Sequence, residues 1–335
     1  MTSITKSLKN LLRDSVTSPQ QVYPSSKLYE CKTRFGLLGT VGAGKSVIAT
    51  LIAMTTQTLS SKEKDFFCRI LERNSNIYGD ISNMRDGWFP EKTTAHDRYS
   101  AEAGLLLAKK GIFGYKKLQM PICDVAGEDI QLMIPQYVKA TEKTAAQFSA
   151  SAKLIRYVRD CEGFILATDA SRAIIERGGK QLKTEDDKDL HRDPDVNLVR
   201  ILNEVFNYKD QVRKDIRGIA IVITKWDEVR DRLTPEGIDL LNPTQSDLDR
   251  FMDACFPSVR QAIKAHQLTH QKLNIRYFTS YVEIEREQDG TPKRRQDGSE
   301  IIKPKQSTLW QDMRKPSYNE LGYAELIDWV LEFAD

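Results

Sequence analysis

The feature that most constrains this chain is an eight-residue run at residues 39–46, which reads GTVGAGKS. It fits the pattern G-x-x-x-x-G-K-[ST], in which glycines let backbone amides point at one phosphate and the lysine adds a positive charge. An apolar, strand-like segment precedes the run at residues 34–38, and an apolar segment typical of a helix follows at 47–54. Because a helix N-terminus also attracts anions, this order predicts a phosphate-binding loop.

The composition is that of a large globular protein in a reducing compartment. The chain has 335 residues, 40% of them hydrophobic, which is enough to bury a sizeable core. A net charge of +3, with both signs interspersed, argues against a nucleic-acid binder driven by bulk positive charge. The five cysteines are scattered and form no C-x-x-C pair, which favours reduced thiols. With no apolar run of about 18 residues and no signal-peptide pattern, we expect a cytoplasmic protein.

Residues 1–30 are predicted to form an amphipathic extension. Ile4, Leu8, Leu11 and Leu12 fall on one face of a helix, with basic residues elsewhere. This face could pack on the chain's own domain, or lie on a partner or on an anionic membrane surface. Peripheral membrane association therefore stays open, and Pro and Ser residues at 18–26 mark a linker.

From residue 33 the hydrophobic pattern alternates between strand and helix. We predict strands at 33–38, 99–108, 117–123, 162–169, 217–224 and 274–279. We predict helices at 44–59, 61–74, 138–159, 195–213, 246–265 and 319–334. The alternation is typical of an α/β fold with helices on both faces of a mostly parallel, six-stranded sheet. The short link at 109–116 suits a hairpin, which gives one antiparallel edge strand.

Two segments have the composition of insertions. Residues 176–195 are charged and poor in apolar residues, which predicts a mobile loop. Residues 283–303 contain two Asp-Gly pairs, which predict the turns of a surface hairpin. The basic run 293–295 lies at its tip, either as a solvated turn or as a contact for nucleic acid or phosphate.

A second motif follows the strand predicted at 117–123. The sequence there continues as Asp124-Val125-Ala126-Gly127, a D-x-x-G pattern. A carboxylate at the end of a strand beside the phosphate-loop strand can hold Mg²⁺ through a water, and the glycine amide can reach a γ-phosphate. D-x-x-G is frequent by chance, so its value comes from its position downstream of the phosphate loop.

A third motif indicates the base. Residues 219–227 form an apolar strand that ends in Thr224-Lys225-Trp226-Asp227, an [NT]-K-x-D pattern. A carboxylate here can accept two hydrogen bonds from guanine, whereas adenine offers an acceptor and lacks the amine. The alternative is an ordinary solvent-exposed strand end. The strand at 274–279 then leads to Ser280 and Tyr281, where a backbone amide can reach the guanine carbonyl.

At these residues the chain resembles a Ras-like GTP-binding protein of the translation-factor-related P-loop GTPases. The motifs GTVGAGKS, DVAG, TKWD and FTSY occur in the family's order, and the resemblance covers residues 33–280 and the helix at 319–334. The segment WFPEKTT at 88–94 looks most like the bacterial double-GTPase kind. The resemblance implies a three-layer G domain over residues 31–335, with insertions at 176–195 and 283–316.

The resemblance also implies a role for each matching residue. The implied ligands of GTP or GDP are Gly39, Val41, Gly42, Ala43, Gly44, Lys45, Ser46, Val47, Thr224, Lys225, Asp227, Ser280 and Tyr281. The implied oxygen ligands of Mg²⁺ are Ser46, Asp124 and a switch threonine, either Thr93 or Thr94. The implied catalytic residues are Lys45, Thr93, Gly127 and Glu128.

Two departures from the family pattern bear on turnover. Val41 stands where many small GTPases have glycine, and a branched side chain there crowds the γ-phosphate and the space for an arginine finger. Glu128 stands where a water-orienting glutamine is common, and its charge opposes the phosphoryl group. We therefore predict slow intrinsic hydrolysis.

Three functions remain at the level of the sequence. The first is a GTP-hydrolysing switch, in which segments 85–96 and 127–137 respond to the γ-phosphate and change affinity for a protein effector. The second is a scaffold that binds GTP with negligible turnover. The third, an ATPase or nucleotide kinase, is disfavoured by Asp227. The sequence indicates no oligomeric state.

Overall fold

The structure is a computed structural model that describes most of the chain from residue 31 onward. The described residues are 31–40, 42–62, 66–71, 77–90, 104–111, 114–121, 157–169, 171, 193–211, 215–228, 242–306 and 315–334. The predicted extension at 1–30, most of the predicted helix at 138–159 and most of the predicted insertion at 176–195 lie outside these residues.

Strands and helices alternate along the described ranges. The strands are β1 (Phe35–Gly39), β2 (Phe66–Leu71), β3 (Gly104–Gly111), β4 (Gly114–Pro121), β5 (Gly163–Asp169), β6 (Gly218–Thr224) and β7 (Asn274–Thr279). The helices are α1 (Lys45–Lys62), α2 (Ile77–Arg85), α3 (Pro194–Gln211), α4 (Gln245–Cys255), α5 (Pro257–Thr269) and α6 (Glu320–Leu331). The predicted strands at 33–38, 162–169, 217–224 and 274–279 are confirmed as β1, β5, β6 and β7.

The prediction of one six-stranded sheet is wrong. Four parallel strands form one sheet in the order β1-β5-β6-β7, and β2, β3 and β4 form a separate antiparallel sheet. A parallel bridge between Arg34 and Gln119 joins the two sheets. The predicted hairpin is present as β3–β4. The prediction of a helix at 61–74 is wrong at residues 66–71, which form β2 and pair with β3.

The parallel sheet is buried on both faces, and this explains its near-continuous apolar strands. In β6, alternate residues contribute to different cores: Ile221 packs with α3, α4 and α5, whereas Val222 packs with α1 and α6. The α/β fold with helices on both faces of the parallel sheet is therefore as predicted.

Two helix predictions need correction. The helix predicted at 246–265 is two helices, α4 and α5, which meet at Phe256 and Pro257. Proline disfavours helical geometry in the residue before it and fits the first turn of a new helix. No element was predicted at residues 77–85, where the structure has α2.

The connection between β7 and α6, residues 280–319, replaces the predicted simple hairpin. Its two Asp-Gly turns are present, with Gly290 and Gly298 at φ of 86° and 83°. Around these turns, backbone hydrogen bonds join three residues in a closed ring. The amide of Glu285 donates to the carbonyl of Ile301, that of Ile301 to the carbonyl of Lys293, and that of Lys293 to the carbonyl of Glu285. A second ring joins residues 283, 303 and 317 in the same way. Four chain segments, at 283–285, 293–295, 299–303 and 315–317, are thus cross-bonded into one unit, which we call the cross-bonded unit.

Within the described ranges, no helix has the length and hydropathy that a bilayer span requires.

Candidate functional site

The phosphate-loop sequence lies at the carboxyl end of β1, between the parallel sheet and α1. Gly39, the last residue of β1, lies so close to β5 that a Cβ on it would be 2.6 Å from the carbonyl oxygen of Ala167. The loop then turns through Gly42 and Gly44, whose φ angles of 73° and 71° favour glycine. In open α/β sheets, ligands bind outside the carboxyl ends of the strands, which is where this loop lies.

Lys45 is held inside the loop that it follows. Its ammonium nitrogen lies 3.4 Å from each of the carbonyl oxygens of Gly39 and Thr40. Both residues flank the turn, so the charge is directed at the loop's centre. Ser46 follows in the first turn of α1 and is half-buried. The loop therefore presents a cation and a helix N-terminus on the same side, the arrangement that attracts anionic groups.

The end of β6 carries three of the predicted residues. Thr224 is buried, and its hydroxyl donates to the carbonyl oxygen of Thr168 at 3.0 Å. Lys225 has a φ of 54°, a left-handed conformation that is unusual for a residue with a side chain. Its ammonium forms an ion pair with Asp169 at the end of β5. These contacts fix the direction of the backbone as it leaves the sheet.

The loop after β7 is tied to the loop after β6. The Ser280 amide donates to the carbonyl of Ile223, and the Trp226 amide donates to the carbonyl of Ser280, at 2.8 and 3.1 Å. The Ser280 hydroxyl shares a hydrogen bond of 2.6 Å with the buried hydroxyl of Tyr323 in α6. Two strand ends that are far apart in sequence thus form one rigid rim.

A cavity of about 260 Å³ opens between this rim and the phosphate loop. Its apolar lining comes from α1 and its loop, from residue 89 and from the β7–α6 connection: Ala43, Val47, Ile48, Phe89, Val282 and Ile284. Its polar lining comes mainly from the strand ends: Gly44, Thr224, Lys225, Asp227, Glu228, Ser280, Tyr281 and Glu300. Apolar walls with a few convergent polar groups are typical of small-molecule sites.

Asp227 has a perturbed acidity in this setting. Burial raises the pKa of Asp227 to about 6, and the nearby charge of Glu228 adds to the effect. Hydrogen bonds from backbone amides and the charge of Arg286 act in the opposite direction and are weaker. A partly desolvated carboxylate is stabilised by any ligand that donates hydrogen bonds to it, so Asp227 is suited to bind donors.

The structure brings together residues that the sequence placed in different motifs. Eight predicted residues line the one cavity: Ala43, Gly44, Val47, Thr224, Lys225, Asp227, Ser280 and Tyr281. Gly39, Gly42, Lys45 and Ser46 lie in the adjoining loop rather than in the cavity wall. Val41, Thr93, Thr94, Asp124, Gly127 and Glu128 lie outside the described residues.

Six lining residues were not predicted: Ile48, Phe89, Glu228, Val282, Ile284 and Glu300. For two of them the sequence did contain a signal, because Val282 and Ile284 continue the period-two alternation that starts at Ser280. Glu300 has no local signal. It reaches the cavity because Ile302 pairs with Ile284 across the cross-bonded unit.

The fold and site together define an α/β protein with a phosphate-loop sequence and a cavity at the carboxyl edge of a parallel sheet. No known protein family matches the sequence, and no curated protein matches it. Among solved structures, the chain is similar to one from the signal recognition particle receptor SRβ-GTP/SRX complex of Chaetomium thermophilum. The identity is 12% and the TM-score 0.30, over 76% of this chain and 92% of that one. A likeness this low carries no argument about the activity of this chain.

Proposed function

We propose that this protein is a GTP-binding molecular switch that hydrolyses GTP to GDP and phosphate with Mg²⁺. The observation that supports it is the convergence of the phosphate loop and the strand ends of β6 and β7 on one cavity. The motifs at Lys45 and Asp227 lie far apart in sequence, yet both border the same space. The cavity offers apolar surface for a base, and the adjoining loop offers a positively charged site for phosphates.

The base is proposed to enter the cavity with its polar edge toward Asp227. Guanine would donate hydrogen bonds from its N1–H and its exocyclic amine to that carboxylate. These bonds would replace the hydrogen bonds to water that burial of Asp227 removes. The backbone amide of Tyr281 would face the guanine carbonyl. Phe89 and Val47 supply apolar surface for the faces of the ring. Adenine would leave Asp227 unsatisfied, and a site of this kind discriminates by roughly 10⁴-fold.

The phosphates are proposed to lie in the loop between Gly39 and Ser46. The ammonium of Lys45, already directed inward by two carbonyl oxygens, would move to the β- and γ-phosphates. The Ser46 hydroxyl and the Asp124 carboxylate are hard oxygen donors of the kind that Mg²⁺ prefers, so the residues present fit this ion. When bound, the ion neutralises the charge that develops on the phosphates during transfer.

Hydrolysis would proceed by in-line attack of water on the γ-phosphate. Positioning of the water and neutralisation of the phosphate charge would accelerate the reaction. Glu128 is the proposed water-orienting residue, and one of Thr93 and Thr94 the proposed switch threonine. Loss of the γ-phosphate would release the part of the segment 85–96 that follows Phe89, together with the segment 127–137, and change the affinity for a protein effector.

A phosphate-release assay on the purified protein with GTP and Mg²⁺ tests the proposal. We expect slow release that is abolished in Lys45→Ala and in Asp124→Ala, and that is unchanged in Lys32→Ala, an exposed lysine before β1. Tight GTP binding without any phosphate release would instead support the scaffold function. Equal competition by ATP would contradict guanine selectivity.

A further inference from the structure

The chain leaves α2 along a path that its own backbone fixes. The Gly87 amide donates to the carbonyl of Met84, and the Trp88 amide donates to that of Asn83, at 3.2 and 2.8 Å. These two bonds form a Schellman motif, with Gly87 in the left-handed conformation at a φ of 83°. The next residue, Phe89, is a wall of the cavity. The position of this wall therefore depends on how the end of α2 is held.

The cross-bonded unit holds this helix end from the side. The guanidinium carbon of Arg295 lies 3.5 Å from the centre of the Trp88 ring. A nitrogen of the same guanidinium donates to the carbonyl oxygens of Asp86 and Gly87 at 3.3 and 3.1 Å. The Ile302 amide donates to the Gly87 carbonyl at 3.1 Å. Arg295 is therefore not part of the solvated tip that the sequence suggested.

The same unit also lines the cavity. Ile284 and Glu300 reach the lining from two of its four segments. Because backbone bonds join Glu285, Ile301 and Lys293 in a closed ring, these segments move together. One rigid element thus contacts the cavity directly and fixes the residues that precede Phe89.

We propose that Arg295 is a positioning residue for nucleotide retention: it clamps residues 86–88 so that Phe89 stays against the bound base. The proposal rests on the proposed guanine nucleotide site. Loss of the clamp would let Phe89 leave the cavity and open a route for the base, whereas the phosphate loop, which Arg295 does not contact in the described structure, would keep its grip.

The test compares dissociation of GDP with binding of pyrophosphate. Displacement of a fluorescent guanine nucleotide gives the GDP dissociation rate, which we expect to rise about tenfold in Arg295→Ala, since a cation–π contact and two hydrogen bonds are lost. Arg295→Lys keeps a cation over the ring and should recover part of this loss. Lys293→Ala, which removes a partly exposed ion pair two residues away, should leave the rate unchanged. Pyrophosphate affinity should be equal in all four proteins.

Hydrogen exchange in the nucleotide-free proteins supplies a second readout. Amides of residues 86–89 should exchange faster in Arg295→Ala, while those of β5 and β6 keep their protection and show that the fold is intact. Unchanged exchange at 86–89, an unchanged GDP rate, or a parallel loss of pyrophosphate affinity would overturn the inference while the proposed function stands. A wild type that binds no guanine nucleotide would overturn both.

Discussion

The ammonium group of Lys225 lies 2.7 Å from the carboxylate of Asp169, whose side chain is only 1% exposed. The pair joins the carboxyl ends of β5 and β6, two neighbouring parallel strands. Among the described residues other than glycine, only Lys225 has a positive φ. Strained backbone of this kind concentrates at functional sites, where surrounding contacts hold it in place. The ion pair is such a contact, at the rim of the candidate base cavity.

Removing the lysine should destabilise the protein even without nucleotide. Lys225→Ala leaves the buried Asp169 carboxylate without its cation. We expect the free energy of unfolding to fall by about 2 kcal/mol. The loss is smaller than for a fully buried pair because Lys225 is partly exposed. Urea denaturation measures the change. In a double-mutant cycle, Asp169→Asn should cost much less in the Lys225→Ala background than in the wild type. Additive effects of the two substitutions would show that the ion pair contributes nothing to the free energy of unfolding.

Asp227 should reduce the stability of the nucleotide-free protein. Burial raises the pKa of Asp227 to about 6, above its value of 3.8 in an unfolded chain. Between these values the folded state binds more protons, so its contribution to stability falls as the pH rises from about 4 through 6. At pH 7.5, Asp227→Asn should therefore be more stable than the wild type, by on the order of 1 kcal/mol after allowance for solvent screening.

Chemical denaturation at pH 5 and pH 7.5 tests this effect, with Glu325→Gln on the exposed face of α6 as the control. The difference between Asp227→Asn and the wild type should grow with pH, whereas the control difference should stay constant. A variant that is less stable than the wild type at pH 7.5 would mean that Asp227 is already well satisfied.

Guanine affinity should depend on pH in the opposite sense. The ionised carboxylate of Asp227 is the form that accepts bonds from guanine, so protonation competes with binding. We expect affinity for GDP to be constant above about pH 7 and to weaken toward pH 5, approaching a tenfold loss per pH unit below the pKa of about 6. Calorimetric titrations between pH 5 and pH 8 would show it. The terminal phosphate of GDP also ionises at about pH 6, so the part of the dependence that belongs to Asp227 is the part that Asp227→Asn lacks.

Two glycines give a matched pair of substitutions that separates close packing from helix propensity. A Cβ at Gly39 would lie 2.6 Å from the Ala167 carbonyl oxygen, whereas a Cβ at Gly79 in α2 would have no atom within 4 Å. Gly39→Ala should push β1 from β5 and lower the free energy of unfolding by about 2–3 kcal/mol. Gly79→Ala should raise it by about 0.5–1 kcal/mol. Thermal unfolding compares them, and equal effects would contradict the close approach of β1 and β5.

The parallel sheet was predictable because β1, β5 and β6 are buried along their whole length and β7 over its second half. Strands such as β6 are continuous apolar runs bounded by polar residues, a pattern that periodicity recognises well. The segment at 66–71 was missed because FFCRIL has no helix-breaking residue and its strand pairing is with β3, far along the chain. Pairing across such a distance leaves no local trace in the sequence.

The candidate site, like the fold, was predictable from the sequence only in part. Lys45 and Asp227 belong to motifs whose spacing is fixed by local backbone geometry, so the sequence predicted them. Phe89, Glu300 and the clamp at Arg295 depend on tertiary contacts between the end of α2 and the cross-bonded unit. The sequence offered the run that contains Arg295 as a solvated turn or as a contact for nucleic acid or phosphate, because charge patterns do not show which charges pack against a ring.

Titration calorimetry of the purified protein with GDP and with ADP, each with Mg²⁺, tests the central claim most directly. The account predicts a binding isotherm for GDP and an affinity for ADP that is lower by several orders of magnitude, with the preference lost in Asp227→Asn. Equal affinity for the two nucleotides, or no heat with either at millimolar concentration, would contradict it.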